Sequence, residues 1–258
     1  MEHNSDKDVV SYNAMFLLPN LFTTAALFCG FYAVVAALSG NLDHSAVAIF
    51  IAMLLDGMDG RVARMTNTQS DFGAEYDSLS DVICFGVAPA LVMYSWSLVN
   101  LGKLGWLVAF LHTVCTAIRL ARFNVKSSAV MNEFHGLPCP SAAGLLAAIV
   151  WSCYDSNILG NATMLPQLIA VVSVMLSFFM VSTLSYPSFK TVKLKGNLPF
   201  ISATLTAIVV VFVTIDPPLV LLFIFTSYSF SAPILFFLRK LRILKSKETV
   251  DNEEASDA

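Results

Sequence analysis

Apolar positions run along this chain in long blocks separated by short polar breaks. The blocks near 16–39, 45–65, 74–99, 104–124, 140–155, 164–186, 199–215 and 218–239 predict eight helices. Crossing a ~30 Å hydrocarbon core takes about 20 apolar residues as helix, and the blocks are of that order. The block over 140–155 is the short one. It opens on Pro138, Cys139 and Pro140, which predicts a span that is tilted or broken at its start. No internal repeat is evident, so an inverted-repeat transporter architecture has no support. The expected fold class is all-α, a polytopic membrane protein of about eight transmembrane helices.

Composition agrees. Of 258 residues, 57% are hydrophobic and 13% charged, and the mean hydropathy of +0.72 lies outside the usual range of a soluble domain. Five cysteines, at 29, 84, 115, 139 and 153, lie in or beside apolar blocks without a C-x-x-C spacing and read as small apolar fillers. The first eleven residues are polar and acidic, and the first apolar block is too long for the core of a cleaved signal, so the first span is expected to persist.

Charge gives the orientation. The breaks after spans one, three, five and seven carry a single basic residue, Lys103, whereas the other fourteen of the fifteen Lys and Arg lie on the opposite side. The positive-inside rule then places both termini in the cytoplasm, which requires an even number of spans. In a bacterium the membrane would be the inner one.

Six of the eighteen acids, Asp56, Asp59, Asp71, Glu75, Asp77 and Asp81, fall within 26 residues at the cytoplasmic junction of spans two and three. Buried charge at that density is costly unless paired or bound to metal. Asp56 and Asp59 are i,i+3 neighbours on one helix, and Asp77 and Asp81 are i,i+4 neighbours on the next. Two antiparallel helices would bring the four carboxylates together. Such a set suits hard divalent cations, Mg²⁺ or Mn²⁺, and its charge suits two ions. Gly57, Gly60 and Ala63 form an adjoining stripe against which a flat ligand could lie, with Gly73 opposite. Close helix packing is the competing explanation for small residues.

The segment Asp56-Gly57-Met58-Asp59-Gly60-Arg61-Val62-Ala63-Arg64, then Gly73, Asp77 and Asp81, resembles the CDP-alcohol phosphotransferase signature D-x-x-D-G-x-x-A-R-x8-G-x3-D-x3-D at every fixed position and gap. The resemblance implies a helical catalytic core open to the cytoplasm, two metals and a CDP-linked donor. It divides the chain into a polar tail over 1–14, one transmembrane catalytic domain over 15–240 and a charged tail over 241–258. Asp56, Asp59, Asp77 and Asp81 would hold metal, and Asp81 would also be the general base. Gly57, Gly60, Ala63, Arg64 and Gly73 would meet the donor nucleotide and its phosphates.

Further segments narrow the acceptor. Leu18 to Thr23, Arg119-Leu120-Ala121-Arg122-Phe123-Asn124, Phe134 to Gly144 and Tyr186-Pro187-Ser188-Phe189-Lys190 resemble the membrane-embedded phosphatidylserine synthases of that family, with Ser141 standing where alanine is usual. The implied donor is CDP-diacylglycerol and the implied acceptor L-serine. Arg119 and Arg122 share a helix face and could grip the serine carboxylate, although arginines at a helix end also serve as headgroup anchors. Lys190 is a candidate contact to donor phosphate or anionic lipid. Inositol phosphate, glycerol phosphate and choline stay open as rival acceptors, and a cation transporter is the remote alternative. Membrane lipid is an expected partner, nucleic acid is not, and a homodimer stays open.

Overall fold

The structure, a computed structural model, describes residues 5–127, 136–156, 164–184, 186 and 214–256. The described residues form eight α-helices and no strand: α1 (Ser5–Leu38), α2 (Leu42–Thr66), α3 (Asp71–Asp81), α4 (Ala88–Trp96), α5 (Lys103–Ser127), α6 (Cys139–Ser156), α7 (Leu165–Val181) and α8 (Pro217–Ser256). A π-helical segment, Val82–Val87, joins α3 to α4, and together they make one apolar rod over Asp71–Trp96. The predicted third span is therefore a single rod with a change of winding in its middle. The seventh predicted span and Lys190 lie outside the described residues. Helix α1 begins within the predicted polar tail, and α8 stays helical to Ser256.

Among the described residues, four apolar stretches are long enough to cross a membrane: Leu18–Leu38, Asp71–Trp96, Lys103–Val125 and Pro217–Phe236. Large apolar side chains cover the outside of the bundle, with Leu38 79% exposed and Leu21 and Phe28 each 67% exposed. The contact between α1 and α2 is built from small residues. Ala26, Ala33, Ala37, Ala46, Ala48 and Ala52 are all buried along α1 and α2, which pack against each other at length. In lipid there is no hydrophobic force between helices, so close backbone approach through such residues is what holds a pair together. Large apolar side chains on the outside, with alanine at the α1–α2 contact, identify an integral membrane protein.

The α1–α2 turn closes as a Schellman motif. Gly40 has φ +79°, the Asn41 N–H donates to the Ala36 carbonyl at 2.9 Å, and the Gly40 N–H donates to Ala37 at 3.0 Å.

The short span anticipated over 140–155 is the most enclosed of the described helices. In α6, Ala142, Ala143, Leu145, Leu146, Ala147, Ala148 and Val150 are all buried, and the helix touches α2, α4, α7 and α8. Surrounded by protein on most sides, it has no need to match the bilayer thickness, which explains its length. Its start is hooked to the end of α7: the Gly136 N–H donates to the Leu184 carbonyl at 2.8 Å and the Leu137 N–H to Phe179 at 2.9 Å.

Candidate active site

Helix α2 runs down to Thr66 and ends on Asn67, whose φ of 53° and ψ of 35° place it in the left-handed region. The chain reverses, and Ser70 caps α3 by accepting from the Gly73 N–H at 3.1 Å. This tight return sets α3 beside α2 and turns their acids toward one another. Carboxylate oxygens of Asp56, Asp59 and Asp77 all lie within 4.8 Å of one another. Asp81, one turn further along α3, is not in that triplet, but its carboxyl contacts Asp56.

Helix α1 supplies the third wall. Thr23 Oγ1 donates to Asp59 Oδ2 at 2.7 Å, and the backbone N–H of Gly60 meets Asp59 Oδ1. Asp59 is thereby oriented by both of its oxygens. Asp77 is not: its buried Oδ1 has no hydrogen-bond partner. Three ionised carboxylates this close repel one another unless a cation sits between them, and a buried carboxylate oxygen with no hydrogen-bond donor is suited to take one. The donor set is all oxygen, which fits Mg²⁺ or Mn²⁺ rather than a thiolate-seeking metal.

A cavity of about 260 Å³ opens beside the acids, lined among others by Thr23, Asp59, Gly60, Ala63, Arg64 and Gly73. Four of the five predicted donor contacts, Gly60, Ala63, Arg64 and Gly73, thus share one space with Asp59 and Asp77. The fifth, Gly57, is not in that lining, and nothing lies within 4 Å of where its Cβ would be. Arg64 arches over Gly60, its guanidinium 3.8 Å from an added Cβ there. Asn20 and Gln69 also line this cavity. The sequence pointed at Asn20 and Thr23 only through the Leu18 to Thr23 segment, and Gln69 carried no signal because a loop residue has no periodicity.

The two arginines of α5 differ in use. Arg122 Nη1 donates to the Val181 carbonyl at 3.3 Å and so caps the last turn of α7. Arg119 Nη1 reaches Cys139 Sγ at 3.3 Å, while its buried Nε has no partner. Neither arginine lines the cavity beside Asp59.

Fold and site together define an integral membrane enzyme built around a carboxylate cage. The chain belongs to the CDP-alcohol phosphatidyltransferase family, whose sequence profile matches residues 16–214. It is 40% identical over 202 residues to the CDP-diacylglycerol–serine O-phosphatidyltransferase of Helicobacter pylori, a match covering 78% of this chain and 84% of the relative. It is 35% identical to the enzyme of the same name from Bacillus subtilis, over 67% of this chain and 91% of the relative. The archaetidylserine synthase of Methanothermobacter thermautotrophicus is 34% identical, over 71% of this chain and 73% of the relative.

Proposed function

We propose that this protein transfers the phosphatidyl group of CDP-diacylglycerol to the hydroxyl of L-serine, releasing phosphatidylserine and CMP. The observation that carries the reading is the convergence of the Asp56, Asp59 and Asp77 carboxylates beside a cavity walled by Gly60, Ala63, Arg64 and Gly73. The names borne by relatives that align along most of this chain support serine as the acceptor.

In this reading the acyl chains of the donor stay in lipid while its cytidine and phosphates enter the cavity, with Arg64 on a phosphate. Gly60 and Ala63 leave room for the nucleotide to lie against α2, and Gly73 does the same on α3. Arg119, with an N–H to spare, holds the serine carboxylate; Arg122 helps through the N–H groups it does not spend on α7. The serine oxygen forms its bond to the phosphorus that carries diacylglycerol, the bond from that phosphorus to the CMP oxygen breaks in line, and Asp81 takes the hydroxyl proton. Two divalent ions held by Asp56, Asp59, Asp77 and Asp81 would supply positive charge to the phosphate oxygens of donor and leaving group. Lys190 would meet donor phosphate or an anionic headgroup. The site and both termini would face the cytoplasm.

The test is CMP release by purified protein supplied with CDP-diacylglycerol and Mn²⁺ or Mg²⁺, with L-serine, inositol phosphate, glycerol phosphate and choline offered separately. Release that depends on serine above the others is expected. Release with glycerol phosphate and not with serine would overturn serine as acceptor.

A further inference from the structure

The acid-bearing helix α3 ends at Asp81, and the π segment begins at the next residue, Val82. An α-helix turns by about 100° per residue, so the one residue that a π turn inserts rotates everything beyond it by that amount. Here the rotation reconciles two demands. Asp77 and Asp81 on α3 must face α2, and the packed face of α4, including Ala88, Val92 and Met93, must face the core.

The rod also contains Pro89, which has no N–H to give the Phe85 carbonyl four residues back. The wider π turn, in which the Ala88 N–H pairs with the Ile83 carbonyl, displaces neighbouring donors, and a buried carbonyl without a donor is costly. Two consecutive residues of α5 meet this need. His112 Nε2 lies 3.2 Å from the Phe85 carbonyl, and Thr113 Oγ1 shares its one proton between the Gly86 carbonyl and the Ala109 carbonyl of its own helix, each at 3.3 Å. A carbonyl only accepts, so Nε2 carries the proton. His112 is wholly buried, with Nδ1 3.5 Å from Ser177 Oγ on α7. Gly86 has no side chain to keep α5 away, since an added Cβ would lie 3.2 Å from Thr116 Cβ and Cγ2. Helix α1 holds the opposite face: Ser80 Oγ donates to the Thr23 carbonyl at 3.3 Å and Cys84 Sγ to Ala26 at 3.2 Å.

We infer that His112, assisted by Thr113, is a positioning residue for the transfer reaction: it holds the π segment open and so fixes the direction in which Asp81 presents its carboxyl. The inference rests on the assignment of Asp81 as base made above. His112 itself touches no substrate. It acts through the backbone of Phe85, and its influence falls first on Asp81, the acid adjoining the segment. The remaining acids, Asp56, Asp59 and Asp77, are held from other directions by α2, Thr23 and the Ser70 cap.

Purified full-length His112→Leu, His112→Gln, Thr113→Val and Asp81→Asn proteins are compared in two measurements, calorimetric titration of CDP in Mn²⁺ and steady-state CMP release with serine. Losing the donor in His112→Leu is expected to lower kcat roughly tenfold or more while leaving CDP affinity within about threefold. His112→Gln, whose amide can still donate to the Phe85 carbonyl, is expected to recover most of kcat. If His112→Leu keeps the wild-type kcat, or if Leu and Gln lose kcat and CDP affinity together, the inference is wrong and His112 merely packs. Should His112→Leu fail to fold, Thr113→Val decides: a fall in kcat at constant CDP affinity supports the inference, and an unchanged kcat rejects it. Turnover retained in Asp81→Asn would instead reject the base assignment, whatever His112 does.

Discussion

Two carboxylates a single turn apart on α3 are assigned different work, and removing charge while keeping shape separates them. Asp77 belongs to the triplet within 4.8 Å and has an orphaned oxygen. Asp77→Asn is therefore expected to weaken metal-dependent CDP binding and turnover together, as are Asp56→Asn and Asp59→Asn. Asp81→Asn is expected to abolish turnover and leave CDP binding largely intact. Calorimetric titration of CDP with metal and single-turnover CMP release measure the two effects apart, and loss of CDP binding in Asp81→Asn as complete as in Asp77→Asn would remove its role as base. The arginines invite a second comparison. Arg119→Ala should raise the serine KM by roughly thirty- to a hundredfold, the loss of a charged hydrogen bond of about 2–3 kcal/mol. Arg122→Ala should chiefly lower the melting temperature in detergent, because its removal strips the Val181 carbonyl of its donor. An unchanged serine KM in Arg119→Ala would return that residue to the role of an anchor. From sequence the two looked alike, since spacing reports a shared face and not which partner each finds.

At the scale of elements, the acid pairing was legible because it depends on local periods: i,i+3 in α2, i,i+4 in α3, and a short return between them. The π segment had one sequence cue, Pro89, whose missing N–H leaves the Phe85 carbonyl without an α-helical donor, but the unbroken apolar block over 74–99 concealed it. The donors that satisfy its carbonyls come from α5, a separation of 27 residues for His112 and Phe85. The glycines between Phe134 and Gly144 were read through the resemblance alone, and the structure explains them mechanically. Gly136 has φ +84°, and a Cβ there would strike the Met180 carbonyl. Gly144 lets Phe225 of α8 and Met53 of α2 close in, with an added Cβ 2.7 Å from Phe225 Cζ. Gly136→Ala is accordingly expected to destabilise the fold by about 1–3 kcal/mol through backbone strain, with further cost from the carbonyl contact. Thermal unfolding in detergent checks this. A melting temperature equal to wild type would mean the hook between α6 and α7 is looser than its 2.8 and 2.9 Å bonds indicate.

For the whole molecule, the apolar blocks identified the membrane-embedded bundle, and the short helix expected over 140–155 is present as α6; what hydropathy could not register is that its surroundings are largely protein rather than lipid. Sidedness is a property of the same scale, and it makes a prediction independent of catalysis. The α2–α3 return carries the acids at one end of the bundle, while the α1–α2 turn and the approach to α5 lie at the other, where Lys103 is the sole basic residue among the predicted outer breaks. Gln69, His44 and Lys103 are all exposed, and the five native cysteines are buried or half-buried, so a cysteine introduced at any of the three should react above a low background. In intact cells a membrane-impermeant maleimide is expected to label His44→Cys and Lys103→Cys but not Gln69→Cys. Permeabilising the membrane should expose Gln69→Cys as well. Labelling of Gln69→Cys in intact cells, with His44→Cys and Lys103→Cys protected, would invert the orientation. The acid cage would then face away from the cytosolic nucleotide pool, and the proposed supply of CDP-diacylglycerol and serine would have to come from the other side of the membrane.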